Sequence, residues 1–91
     1  MNLTRHAESR MQQRGISRQA VDYLLAYGRE SYDHRGCQVI WFDKVTRQQV
    51  CDEEGGEVMS KLGKCLNTYA VIDLEGTVIT VGHRHKRIWR H

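Results

Sequence analysis

The chain has 91 residues, of which 40% are hydrophobic and 27% are charged, and its formal net charge is +3. This length and composition are typical of one folded domain with a modest core. No stretch approaches the roughly 20 apolar residues of a membrane span, and the N-terminus lacks the apolar segment of a signal peptide. We therefore expect a cytoplasmic protein that does not engage a membrane.

Periodicity and capping residues predict two helices at the N-terminus. Thr4 is suited to cap a helix over roughly 4–14, and Ser17 is suited to cap a second helix over roughly 18–27. A glycine between them is suited to end the first helix in the left-handed conformation. Because the link is so short, the two helices form a hairpin over about 4–27.

The rest of the chain predicts an antiparallel sheet. Two segments, about 37–42 and 68–85, are rich in β-branched and aromatic side chains, and the second contains a tight turn that makes it a hairpin. Tyr32 lies on a further short strand or in a loop, and 43–66 fits either a short helix from Glu57 or strand and loop. The predicted fold is a single α+β domain, a two-helix hairpin packed on three or four antiparallel strands.

Positive charge is concentrated at both ends of the chain. Ten of the fourteen cationic residues are arginine, whose planar fork suits phosphate. The segments 1–18 and 83–91 each carry four cationic residues against one acid or none, whereas the acids collect mid-chain. If the two ends meet, they form a cationic patch suited to nucleic acid. If they do not, they are solvated surface or a face for an acidic protein.

The sequence does not point to a metal or a cofactor. The three cysteines form no C-x-x-C pair, so we expect buried, reduced thiols. A His-x-His pair at His83 and His85, together with His6 and His91, is a weak zinc signal because further ligands are unspecified. We rank phosphate ahead of metal as the ligand of these basic segments.

Three basic residues share one stripe of the first helix. His6, Arg10 and Arg14 are spaced by four residues, a drift of about 40° per step. Arginines so placed can hold a phosphate, and an imidazole can act as acid or base when an RNA 2′-hydroxyl attacks that phosphate. The structural alternative is a basic helix surface whose arginines pair with carboxylates such as Asp22 or Asp73.

The C-terminal tail adds further candidates for the same chemistry. His83 or His85 can supply a second acid or base, and Arg84 and Arg87 can contact phosphate. Trp89, which lies among arginines, resembles a stacking platform for a base, or alternatively it seals the edge of the core.

Two segments of the chain resemble a known family. Residues from His6 to Ser17 read H-A-x-x-R-M-x-x-R-G-I-S, and a β-hairpin over 69–81 is followed by His83-Arg84. Together they cover roughly the first 28 and the last 20 residues, and they resemble the small bacterial domain-of-unknown-function family 4258. That family is similar in fold order to the RelE/ParE-like toxins, which belong to a wider group with barnase-like and colicin-like ribonucleases.

The resemblance implies an activity that cleaves RNA or interferes with the ribosome, and a cognate antitoxin protein as a partner. Residues and resemblance together predict a metal-independent, toxin-type ribonuclease in which His6 and His83 are the catalytic acid and base. The predicted phosphate or nucleic-acid contacts are Arg10, Arg14, Arg84, Arg87 and Trp89. The alternative is a noncatalytic protein- or nucleic-acid-binding module that uses the same basic patch. The oligomeric state stays open.

Overall fold

The computed structural model describes residues 1–32 and 36–84, apart from the side chain of Lys64. The helices are α1 (Arg5–Arg14), α2 (Arg18–Tyr27), α3 (Lys44–Glu54) and α4 (Gly56–Leu62), and a short 3-10 helix (Gly63–Asn67) follows α4. The strands are β1 (Arg29–Tyr32), β2 (Gln38–Trp41), β3 (Thr68–Ile72) and β4 (Val78–His83). The fold is α+β, as the sequence predicts.

The predicted helical hairpin forms with the predicted caps. The hydroxyl of Thr4 accepts a hydrogen bond from the backbone N–H of Ala7 at 3.0 Å, and that of Ser17 accepts one from Ala20 at 3.0 Å. Gly15 follows α1 with a φ of +65°, the left-handed conformation that glycine adopts without strain. These local interactions define the bounds of both helices.

All four strands join one antiparallel sheet in the order β1-β2-β3-β4. Tyr32 therefore lies on a strand, and of the three or four strands predicted, the sheet has four within the described residues. The turn between β3 and β4 is held by Asp73, whose carboxylate accepts from the backbone N–H groups of Glu75 and Thr77 at 2.9 Å each. Position 85, where the sequence ends the sheet, lies outside the described residues.

The segment that the sequence left open is helical. Asp43 caps α3 in a capping box, because Thr46 donates its N–H to the Asp43 carboxylate and returns its side-chain oxygen to the Asp43 N–H, both at 2.8 Å. The helix expected from Glu57 is α4, which ends at Leu62 and passes into the 3-10 helix. Strand alternation is absent from this segment, and α3 is an element that the sequence analysis missed.

A β-bulge changes which residues of β4 face the core. Ile72 pairs with Val78 while Val71 pairs with Thr80, so Ile79 is an extra residue on β4. Val78 is consequently buried on the core side together with the valine three positions later, whereas Ile79 is only half-buried. Strict alternation would put Ile79 on the same face of β4 as Val81, and the bulge breaks that alternation.

The hydrophobic core lies between the helices and the sheet. Its largest fully buried members in one cluster are Val21, Leu24, Phe42, Val50, Val78 and Val81. The three cysteines form no disulfide within the described residues, and Cys65 is buried as expected, whereas Cys37 and Cys51 are half-buried. Across the described ranges, no helix has both the length and the apolar character needed to cross a membrane.

Candidate nucleic-acid interface

The first helix lies along the last strand and runs in the same direction. Leu3 forms a parallel bridge with Val78, and the backbone N–H of Thr4 donates to the Val78 carbonyl at 3.0 Å. The Thr4 hydroxyl also donates to the carbonyl of Ile79, the bulge residue, at 3.1 Å. Because β4 is an edge strand of the sheet, these bonds satisfy backbone groups that would otherwise be unpaired.

Arg10 continues this pairing further along the helix. Its Nε donates to the backbone carbonyl of Val81 at 3.4 Å, and its side chain is half-buried between α1 and β4. A guanidinium has five N–H donors, and this contact uses one of them. Arg10 therefore supports the edge of the sheet and still presents donors along it.

His83 meets the end of the same helix. Its Nε2 lies 2.8 Å from the backbone carbonyl oxygen of Arg14. A carbonyl can only accept, so Nε2 carries the proton and Nδ1 is the atom left to gain or lose one. The contact also satisfies a carbonyl of the last helical turn, which has no partner within the helix. It brings the stripe of the first helix to the end of β4.

His6 lies at the other end of that stripe. It is exposed in the first turn of α1, eight residues before Arg14. At a rise of 1.5 Å per residue, this separates the two positions by about 12 Å along the helix axis. The structure thus joins His83 to Arg14 and Arg10 to β4, but it does not join His6 to His83.

The pairing of the stripe arginines with carboxylates does not occur. Within the described residues, neither Arg10 nor Arg14 forms an ion pair, and the ion pair found there joins Arg29 to Asp43. Asp73 is occupied by its own turn. The physical reason is the packing of α1 on β4, which offers Arg10 a strand carbonyl rather than an acid.

The remaining predicted contacts divide between two regions. Arg84 follows β4, and its Nη2 donates to the backbone carbonyl of Phe42 at 3.4 Å, which directs the side chain toward α3 and away from α1. Arg87 and Trp89 lie outside the described residues. His85 does as well.

The family of the chain follows from a match to nearly its whole length. The family model described as "Domain of unknown function (DUF4258)" matches residues 3–83. The chain belongs to this family. The matched range includes α3 and α4 as well as the opening and closing motifs, and the description names no activity. No curated protein and no solved structure matches the chain.

In this DUF4258 domain, a second basic site was missed by the sequence analysis. An open groove between α3 and the end of β4 is lined by residues that include Lys44, Arg47 and Arg84. The pattern Asp43-x-x-Thr46, a helix-start signal, would have placed Lys44 and Arg47 in the first turn of a helix. Their approach to Arg84 has no local signal, because it depends on how α3 packs against the sheet.

The start of this groove is organised by Asp43. Burial raises the pKa of the Asp43 carboxyl, but the backbone N–H of Thr46 and the guanidinium of Arg29 outweigh that effect and hold the pKa below its usual value. The carboxylate is therefore ionised and engaged at neutral pH. Because it is engaged by Arg29 and Thr46, it does not neutralise Lys44 or Arg47 in the groove.

Metal ligands do not converge anywhere in the described part of the DUF4258 domain. No three His, Cys, Asp or Glu side chains lie together there as a set that could hold an ion.

Proposed function

We propose that this DUF4258 domain binds RNA by holding backbone phosphates on the surface formed by Arg10, Arg14 and His83, which we name the α1–β4 face. The observation that carries the proposal is the 2.8 Å contact between His83 Nε2 and the Arg14 carbonyl. It brings together basic segments from the two ends of the chain. Such a meeting favours the nucleic-acid patch over two separate solvated surfaces.

The arginines of this face retain donors for a ligand. Arg10 uses only Nε in its contact with Val81, and the exposed side chain of Arg14 makes no hydrogen bond within the described residues. Guanidinium groups bind phosphate through paired N–H donors, so both residues can contact a strand that follows the helix. Binding of this kind depends strongly on salt, because counterions are released.

A second candidate function is cleavage of that RNA, the activity that the expected resemblance to RelE-like toxins would imply. It is favoured by the orientation of His83, whose Nε2–H is held by Arg14 while Nδ1 is left for proton transfer. In this reaction the 2′-oxygen attacks phosphorus and gives its proton to Nδ1. The 5′-oxygen leaves with a proton from water, and a 2′,3′-cyclic phosphate forms. The arginines stabilise charge on the phosphorane.

His83 is a better candidate than the His6–His83 pair in this scheme. His83 contacts the carbonyl of Arg14, which lies eight residues after His6 in α1, or roughly 12 Å further along the helix axis. On this separation we do not expect one phosphate to contact both imidazoles. We therefore assign the proton transfer to His83 and give His6 no required role. The paired mechanism stays a prediction that the same variants test.

Binding is tested by fluorescence anisotropy with a short labelled single-stranded RNA. Arg14→Gln is expected to weaken binding and to reduce the salt slope of log K by about 0.7, the value for one phosphate contact on a single strand. Arg5→Gln is the matched control, since Arg5 is also an exposed arginine of α1 but lies off the stripe. Equal effects of the two variants would remove the α1–β4 face as a specific site.

Cleavage is tested by incubating the full chain with RNA and with translating ribosomes. We expect His83→Ala to abolish the cyclic-phosphate product while His6→Ala retains it. Loss of product in both variants would restore the paired mechanism. Absence of product from the wild type, with RNA binding intact, would leave the binding function and remove the ribonuclease.

A further inference from the structure

We infer that the groove between α3 and the end of β4 holds a second phosphate of the same RNA strand, with Lys44 and Arg47 as its contacts. This inference rests on the proposed function, because it takes RNA as the ligand. It extends the binding surface from α1 across the end of β4 to α3.

The charge of the groove is the first argument. Lys44, Arg47 and Arg84 line it, and the carboxylate among the described lining residues is Asp43. That carboxylate is already engaged by Arg29 and by the backbone N–H of Thr46. An anion entering the groove therefore meets Lys44 and Arg47, whose charges Asp43 does not neutralise because it is engaged by Arg29.

The position of Lys44 is the second argument. Lys44 is exposed and is the first residue of α3, where the helix dipole favours an anion and opposes a cation. Helix stability therefore does not account for a lysine there. A phosphate in the groove would be attracted by the ammonium group and by the positive end of the helix at the same time.

The third argument is that two hydrogen bonds hold the guanidinium of Arg47 in place. Its Nη2 donates to the carbonyl of Leu66 and to the side-chain oxygen of Asn67, each at 3.0 Å. These bonds fix the guanidinium against the 3-10 helix at the groove wall. Both bonds use Nη2, and among the described residues Nε is buried without a hydrogen-bond partner. The two bonds use only part of the five N–H donors of a guanidinium, so a phosphate in the groove can accept from the others.

Continuity with the α1–β4 face is the fourth argument. His83 contacts Arg14 on α1, and the next residue, Arg84, reaches Phe42 and lines the groove beside α3. Consecutive residues at the end of a strand point to opposite sides, so β4 ends with one basic group toward each site. A single strand crossing this end would meet both.

The test uses the salt dependence of RNA binding by the full chain. Lys44→Gln is expected to weaken binding of the labelled single-stranded RNA and to lower the salt slope by about 0.7. Arg14→Gln combined with Lys44→Gln is expected to lower the slope by about 1.4, twice the single-contact value, because both phosphates lie on one strand. Lys61→Gln is the matched control, since Lys61 is an exposed helix lysine outside the groove. Lys44 is exposed, so its variant retains the fold, which circular dichroism verifies.

Each remaining outcome separates the two proposals. If Lys44→Gln keeps the wild-type salt slope while Arg14→Gln weakens RNA binding, the groove is not a phosphate site and the α1–β4 face remains supported. If Lys44→Gln weakens RNA binding and Arg14→Gln does not, the result would support the groove and rule out the α1–β4 face as an RNA-binding site. If Lys44→Gln and Lys61→Gln lose equal RNA affinity, the effect comes from net charge alone, and the groove is not a phosphate site. A wild type that does not bind RNA would overturn both.

Discussion

The imidazole Nε2 of His83 donates to the backbone carbonyl of Arg14 at 2.8 Å, and so the end of the last strand is tied to the end of the first helix. The two residues are 69 positions apart in the chain. Their contact joins two basic segments that composition alone leaves separate. It is at once a structural contact and the geometric basis of the proposed RNA-binding face.

Removing this contact is expected to destabilise the domain. His83→Ala leaves the Arg14 carbonyl without its partner and should lower the free energy of unfolding by about 1 kcal/mol, the typical net value of one hydrogen bond. Urea unfolding followed by circular dichroism measures the change. His6→Ala is the control, because His6 is exposed, and it should remain within about 0.5 kcal/mol of the wild type. A loss no larger in His83→Ala than in the control would contradict the structural role.

A close approach of the backbone requires glycine at position 28. A Cβ built there would overlap the side chain of Ile40 and the carbonyl of Leu24. Gly28→Ala is therefore expected to lower the free energy of unfolding by about 1–3 kcal/mol through overpacking. Gly56→Ala is the matched control, since its Cβ meets nothing within 4 Å, and it should be neutral or slightly stabilising. Similar urea midpoints for both variants would refute the packing argument.

The charge of Asp43 should contribute stability that disappears in acid. Its pKa is lower in the folded state than its usual value, so the contribution is present at neutral pH and is lost as pH falls below the ordinary aspartate range. Asp43→Asn keeps a capping side chain but loses the charge that Arg29 binds. We expect a loss on the order of 1 kcal/mol at neutral pH, kept small because Arg29 is 40% exposed.

The difference between wild type and Asp43→Asn should shrink as the pH is lowered, which denaturant unfolding at several pH values measures. Asp22→Asn is the control, because Asp22 is exposed and makes no hydrogen bond within the described residues. A pH-independent difference for Asp43→Asn would show that its charge is not the cause.

A tyrosine on α2 should titrate abnormally in alkali. Tyr27 donates its hydroxyl to Glu54 on α3 at 2.8 Å, and that carboxylate raises the pKa of Tyr27 above its ordinary value. The hydrogen bond is therefore intact below the ordinary tyrosine range and is lost as pH rises toward the folded-state value. Glu54→Gln should move the pKa of Tyr27 back toward about 10.

Ultraviolet absorbance of tyrosinate measures this shift. Glu57→Gln is the control, because Glu57 is an exposed acid of α4 and not a partner of Tyr27. An unchanged titration in Glu54→Gln would show that the bond to Glu54 does not set the pKa.

Local signals account for the elements that were predicted correctly. The caps at Thr4 and Ser17 act within three residues, and Gly15 ends α1 through its own backbone conformation. The missed helix α3 also begins at a local signal, the capping box of Asp43 and Thr46. Few residues of α3 face the core, chiefly Val50, so its apolar periodicity is weak. The cap was therefore the main sequence signal for this helix.

The sequence by itself determined the helical hairpin, the α+β class and the presence of basic residues at both ends, because these depend on periodicity, capping and composition. Only the tertiary structure decided that Ile79 is the extra residue of a β-bulge and that Arg10 donates to a strand carbonyl. It also decided that His83 hydrogen-bonds to Arg14. The bulge lies in the pairing of β3 with β4, and the contacts of Arg10 and His83 depend on where α1 lies along β4. That position is set by packing between segments far apart in the chain. Helix capping and hydrophobic periodicity act over a few residues and do not specify such packing.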